Sequence, residues 1–161
     1  DTGPMLMRET LAIDPTDTTA TLHDKLALLG GPLIVAALLK LDSQDSQDSL
    51  TPTPQPEAGM IYAHKIMKSE GVIDWQQPAI VLERRIRAFD PFPGCTTELQ
   101  GIPLKIWKAT ARPASSGQPG ICLQTTKEGI LVACGEGALL ITEAQRAGGK
   151  RMAAFNLLHG V

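Results

Sequence analysis

Three groups of cations are the residues in this chain whose types and spacing could do chemistry. Arg146, Lys150 and Arg151 surround Gly148-Gly149, and a mobile turn of that composition lets long side chains reach phosphate without fixed geometry. Arg84, Arg85 and Arg87 fall within one helical pattern, where a solvated face is the commoner role. Lys105 and Lys108 flank Trp107; strand alternation puts Lys105 and Trp107 on one face, Ile106 and Lys108 on the other. Trp107 could stack on a base, but core is its expected role, since such a residue more often covers a barrel end. Phosphate contacts position a nucleic acid without reading its sequence, so binding by these groups would be weak, nonspecific and salt-sensitive.

Other chemistries find less support. Cys95, Cys122 and Cys134 form no CxxC pair, and the three histidines do not cluster beside them, so no metal site is expected. Reduced, buried thiols of a cytoplasmic protein are the expected reading. No apolar run reaches the roughly 18 residues that span a bilayer, so no membrane is expected as a partner. The start, Asp1-Thr2-Gly3-Pro4-Met5, is unlike a signal peptide and unlike an initiator sequence, as expected of a chain cut from a longer one. The net charge of −2 hides an asymmetry: residues 1–61 carry three basic and nine acidic side chains, net −6, and residues 62–161 twelve and eight, net +4. Two units are implied, the second able to face a polyanion.

The elements that must position these residues follow the same division. Residues 5–13 read as a short strand, and Asp14–Thr19 as a turn and helix start. Leu22, Leu26, Leu29, Leu33, Ala36 and Ala37 then mark one helix face to about Leu41, with Gly30-Gly31-Pro32 offering a break into two helices. Asp42–Ser49 is a polar low-complexity run and Thr51–Pro56 is proline-rich, so 42–61 reads as a linker. Beyond it, Gly71–Trp75 reads as a strand and turn, and Pro78 opens a helix with the stripe Ile80, Val81, Leu82, Ile86 and Phe89. Asp90-Pro91-Phe92-Pro93-Gly94 stops that helix. Strands are expected at 96–99, 103–109, 120–125, 129–134 and 138–144, with a closing helix at 153–158. The fold class is mixed α+β: a small antiparallel OB-like barrel with one or two helices over 62–161, preceded by a strand–helix piece over 1–41.

Several stretches in this order resemble the methionyl-tRNA formyltransferase family. They are Asp1-Thr2-Gly3 with Met5 behind it, Thr21–Ala27 before Gly30, Tyr62–Ile66 followed by Ile73-Asp74-Trp75, Ile86–Gly94, and Leu104–Ala109. The resemblance implies that 1–41 is the end of a Rossmann-like formyltransferase domain and 62–161 an OB-like domain that helps bind initiator methionyl-tRNA. The whole enzyme, expected to be a monomer, would move a formyl group from 10-formyltetrahydrofolate to the methionyl amine. Donors from Asn and His would stabilise the oxyanion, and a carboxylate would orient the His. Asp1 matches the family's catalytic Asp; the Asn, the His and the folate site fall upstream, so this chain is expected to be inactive alone and to bind no cofactor.

Lys65 matches a family lysine near the tRNA acceptor stem, and Lys68 lies close by; with Lys150 and Arg151 they are the expected tRNA-binding residues. Pro4 departs from the Asp that many members carry there, which stiffens the loop after Asp1. Two alternatives stay open. One is the corresponding part of another folate-dependent formyltransferase, such as one acting on a sugar amine. The other is a stand-alone RNA-binding OB-like module, against which the helix before the linker argues.

Overall fold

The computed structural model describes residues 2–43, 50–99, 101–113 and 117–159, and divides the chain into two units, Asp1–Lys65 and Ile66–Val161.

In the first unit, α1 (Thr19–Asp42) begins where turn chemistry predicts. The Thr18 hydroxyl accepts from the Thr21 N–H at 3.3 Å, and the Thr21 hydroxyl accepts from the Thr18 N–H at 3.0 Å. This reciprocal cap satisfies two donors that the first helical turn leaves free. Asp17 is buried beneath it, its Oδ1 2.8 Å from Lys25 Nζ and its Oδ2 accepting from the Asp14 N–H at 2.8 Å. The Lys25 hydrogen bond, then that of the Asp14 backbone, hold the Asp17 carboxyl down at about 2. Asp14 and Asp17 together raise Lys25 above its ordinary value.

α1 runs unbroken through Gly30-Gly31-Pro32. Pro32 removes a single backbone bond, and the Leu-, Ile-, Val- and Ala-rich turns beside it continue the helix. Leu22, Leu29, Leu33 and Ala36 are half-buried and Ala37 is buried, as the spacing predicts, but Leu26 is exposed. The opposite side is apolar too: Leu28, Ile34, Val35, Leu38, Leu39 and Leu41 are all exposed. By length and composition α1 is apolar enough to cross a membrane, contrary to the expectation that no apolar run is that long, although the helix contains Gly30-Gly31-Pro32 and Lys40. The strand expected at 5–13 is confined to Met5, which exchanges two backbone hydrogen bonds with Thr53, each 2.8 Å. Gln55 Nε2 also donates to the Gly3 carbonyl at 2.7 Å. Of the expected linker, residues 44–49 lie outside the described residues, and residues 50–61 group with the first unit.

The second unit is an antiparallel sheet with two helices. Its strands are β1 (Cys95–Leu99), β2 (Ile102–Arg112), β3 (Cys122–Thr126), β4 (Gly129–Ala133), β5 (Ala138–Arg146) and β6 (Met152–Ala153), ordered β1-β2-β5-β4-β3 with β6 on β5. No pairing joins β1 to β3 among the described residues, so the hydrogen-bonded path is open. The mixed α+β class stands, and β1 to β5 fall close to the spans that the turn residues predict. At 68–75 a 3-10 turn (Lys68–Gly71) and a single Val72–Thr96 bridge replace the expected strand.

Helices α2 (Ala79–Ala88) and α3 (Ala154–His159) pack on one core. Leu82 and Ile86 of α2 meet Ile106, Ile130, Val132, Leu139 and Ile141, all at most 1% exposed, and Leu157 closes one end. Each such side chain contributes about 1.5–3 kcal/mol by leaving water. α2 rests on Ala79, Leu82, Ile86 and Phe89, leaving Ile80 and Val81 exposed, so the expected stripe is narrower. The start of α2 is clasped by the β4–β5 turn: the Gly135 N–H donates to the Trp75 carbonyl and the Ala79 N–H to the Glu136 carbonyl, at 2.8 and 2.9 Å. A Cβ at Gly135 would collide with the Gln76 carbonyl.

Candidate nucleic-acid interface

Alternation along β2 fails at Trp107. The β2–β5 register shifts on both sides of Lys108, so Ile106 and Trp107 are both buried and Lys108 points to solvent. This bulge corrects the expectation that Ile106 and Lys108 share a face. Trp107 is 7% exposed and its indole N–H donates to Gln145 Oε1 at 2.8 Å. Arg151 covers its ring, with the guanidinium carbon 3.6 Å from the centroid. Gly94, at φ +76°, backs the ring so closely that a Cβ there would lie 2.8 Å from it. No base can stack on a ring enclosed in this way, so the core role holds.

The site residues expected from sequence fall in different surroundings. Asp1 lies outside the described residues. Lys65 is exposed in the first unit, and Lys68 is exposed at the start of the 3-10 turn in the second. Lys150 is exposed in the turn between β5 and β6. Arg151 is committed elsewhere: its two terminal nitrogens donate to Asp90 Oδ1 and Oδ2 at 2.7 and 3.2 Å while its face lies on Trp107. Arg87 pairs with Glu83 at 3.0 Å, Arg85 lies 5.5 Å over Phe89, and Arg84 is exposed. Arg146 reaches inward to the Leu157 carbonyl.

The fold also assembles cations that sequence reading passed over. Across the outer sheet face, register aligns Thr110, Leu140, Leu131 and Gln124 on four neighbouring strands. Beside this row is a groove of about 590 Å³ whose walls include Arg112, Lys127 and one acid, Glu128, with Leu131 and Leu140 also lining it. Neither cation has an ion-pair partner among the described residues, whereas Lys108 stands opposite Glu143 across the ladder. The available signal was the spacing Lys108, Thr110, Arg112 on one strand; Lys127 joins them only through the strand order.

Among the described residues acid–base catalysis finds no matching set. His23 pairs with neighbouring Asp24 at 3.2 Å, and His64 sits edge-on to Tyr62 at 5.0 Å. The chain's single asparagine, Asn156, is exposed on α3. The described residues therefore do not fit a reacting folate. Burial pushes the thiols of Cys95 and Cys134 up to about 11, so neither is a nucleophile at neutral pH. Among the described residues no group of histidine, cysteine and carboxylate side chains could hold a metal.

The second unit is thus an antiparallel sheet with a helix across its core and an outer groove lined by Arg112, Lys127 and Glu128. The chain belongs to the formyl transferase C-terminal domain family, whose profile matches residues 65–161. It is 50% identical over 161 residues to the methionyl-tRNA formyltransferase of Burkholderia thailandensis, covering 99% of this chain and 48% of that protein. The enzyme of the same name from Acidovorax ebreus is 52% identical over 164 residues, covering 99% and 50%. The chain thus spans about half the length of the curated relatives it matches. HypX from Aquifex aeolicus has the same fold, with a TM-score of 0.73 at 20% identity over 98% of this chain and 28% of that one.

Proposed function

We propose that this chain is the carboxy-terminal part of a methionyl-tRNA formyltransferase and that its second unit holds the tRNA while an upstream half performs formyl transfer in the cytoplasm. The observation that carries the reading is identity near 50% across 99% of the chain to proteins of that name. The match includes the residues before the module, which disfavours a stand-alone RNA-binding barrel. It also disfavours a sugar-amine formyltransferase.

The second unit contributes cations to the phosphate backbone: Lys68 and Lys150, with Arg112 and Lys127 on the sheet face. Lys65 of the first unit and Asp1 keep the roles implied by the resemblance. Asp1 would orient a catalytic His that this chain lacks, and α1 would cover a sheet supplied by the upstream half. The donor, 10-formyltetrahydrofolate, belongs with that half; one HypX structure is a complex with tetrahydrofolic acid.

The test is binding of an initiator tRNA transcript to the 161-residue chain at 50 and 200 mM salt. The expected result is weak binding that falls on the order of tenfold or more between the two conditions, as for a few phosphate contacts, with no formyl transfer. No binding at the lower salt, or turnover by the chain alone, overturns the reading.

A further inference from the structure

We propose that Asp90, Arg151 and Trp107 form a clamp that fixes the turn at residues 147–150, and that Arg151 is a positioning residue acting through this clamp, not one that touches nucleic acid; its bearing on binding rests on the tRNA-holding function above. The terminal fork of the Arg151 guanidinium and one of its two faces are already engaged, although the side chain as a whole stays 39% exposed. Its fork closes on both Asp90 oxygens, at 2.7 and 3.2 Å, and its plane lies 3.6 Å over the Trp107 ring. Bidentate pairing and stacking together require a planar guanidinium, which lysine cannot imitate.

The post to which the turn is tied is itself held from several sides. Trp107 is buried between Arg151 and Gly94, and its N–H is held by Gln145. Gln145 then uses its Nε2 to donate to the Gly149 carbonyl at 2.7 Å. The turn is thereby anchored on both sides of Lys150: at Gly149 through Gln145, and at Arg151 through Asp90. Lys150 is exposed between these anchors. A cation presented from a fixed turn loses less conformational freedom on binding than one on a free loop.

The clamp makes a prediction opposite in sign to simple electrostatics. Asp90 is an acid on a surface proposed to meet a polyanion, so charge alone says that Asp90→Asn tightens binding. If Arg151 touched phosphate, Arg151→Lys would keep most of the contact. With the clamp, both substitutions release the turn and both weaken binding.

The experiment measures amide hydrogen exchange and affinity for an initiator tRNA transcript at low salt, in the 161-residue chain. Asp90→Asn and Arg151→Lys should each speed exchange about tenfold at Gly149, whose N–H donates to the Arg146 carbonyl at 3.0 Å, and weaken binding roughly threefold, the double variant being no worse than either single one. Lys150→Ala should weaken binding without speeding exchange, and should lower the salt slope by about one, which the clamp variants leave unchanged. Tighter binding by Asp90→Asn, wild-type affinity in Arg151→Lys, or exchange that is unchanged or accelerated throughout β2 and β5 in both variants overturns the clamp. Failure of the unsubstituted chain to bind overturns the tRNA-holding function instead and leaves the clamp to be decided by exchange.

Discussion

The two units bury apolar surface in opposite ways. The second has one continuous core in which α2, α3 and four strands meet, with Leu82 and Ile106 fully enclosed. The first has a 24-residue helix with one buried residue, Ala37, and apolar side chains around nearly its whole circumference. A helix that is hydrophobic all round is built to be covered on every side. The difference is how much of each apolar face is covered among the described residues. The second unit covers its own apolar face, whereas most apolar side chains of α1 are uncovered among the described residues.

The same chemical change made in each unit gives the largest contrast. Leu82→Ala removes a side chain that is 0% exposed and should cost about 2–5 kcal/mol of unfolding free energy. Leu28→Ala removes one that is 78% exposed, and should stay within about 0.5 kcal/mol because both residues are good helix formers. Denaturant titration followed by helical circular dichroism and by tryptophan fluorescence checks both. Equal losses would mean that the first unit has a core of its own, and the comparison would break.

Glycines sharpen the contrast at a smaller scale. Gly135→Ala drives a Cβ into the Gln76 carbonyl at the clasp that starts α2, and should destabilise the second unit by about 1–3 kcal/mol. Gly30→Ala and Gly31→Ala lie mid-helix with nothing within 4 Å of an added Cβ. Each should stabilise α1 by up to about 1 kcal/mol, since glycine loses more backbone freedom than alanine. Thermal melts of the three variants read both signs directly.

What the sequence made legible follows from how far apart the interacting residues lie. Turn residues such as Gly137 and the Lys127-Glu128-Gly129 group act locally, so β4 and β5 appear near their expected spans. The Trp107 bulge is invisible in a period-two pattern, because it depends on Gly94 and Gln145 arriving from elsewhere. The Arg151–Asp90 pair spans 61 positions, so Arg151 looked as free as Lys150. Met5 and Thr53 likewise pair across the intervening helix. Exposure of Lys65, Lys68 and Lys150 was readable from polarity; the meeting of Arg112 and Lys127 required the order β2-β5-β4-β3.

The smallest expected effect concerns acid and the start of α1. The Asp17 carboxyl is lowered from 3.8 to about 2, first by the Lys25 hydrogen bond. A carboxylate that is more acidic when folded stabilises the fold above its unfolded value, so this contribution is complete above pH 3.8 and fades as pH falls through about 2. Lys25, raised by the same contact, contributes below its ordinary 10.5 and fades only as pH rises above that. At neutral pH both contributions are present. Between pH 3.8 and 2 the carboxyl resonance of Asp17 should titrate with loss of order at Thr18 and Thr21, which Asp17→Asn should abolish. Because the ion pair with Lys25 is half-exposed, salt should weaken the effect. Since the network lies wholly in the first unit, second-unit tryptophan fluorescence should not follow this titration. If it does, the two units are coupled, and the difference between them is one of degree.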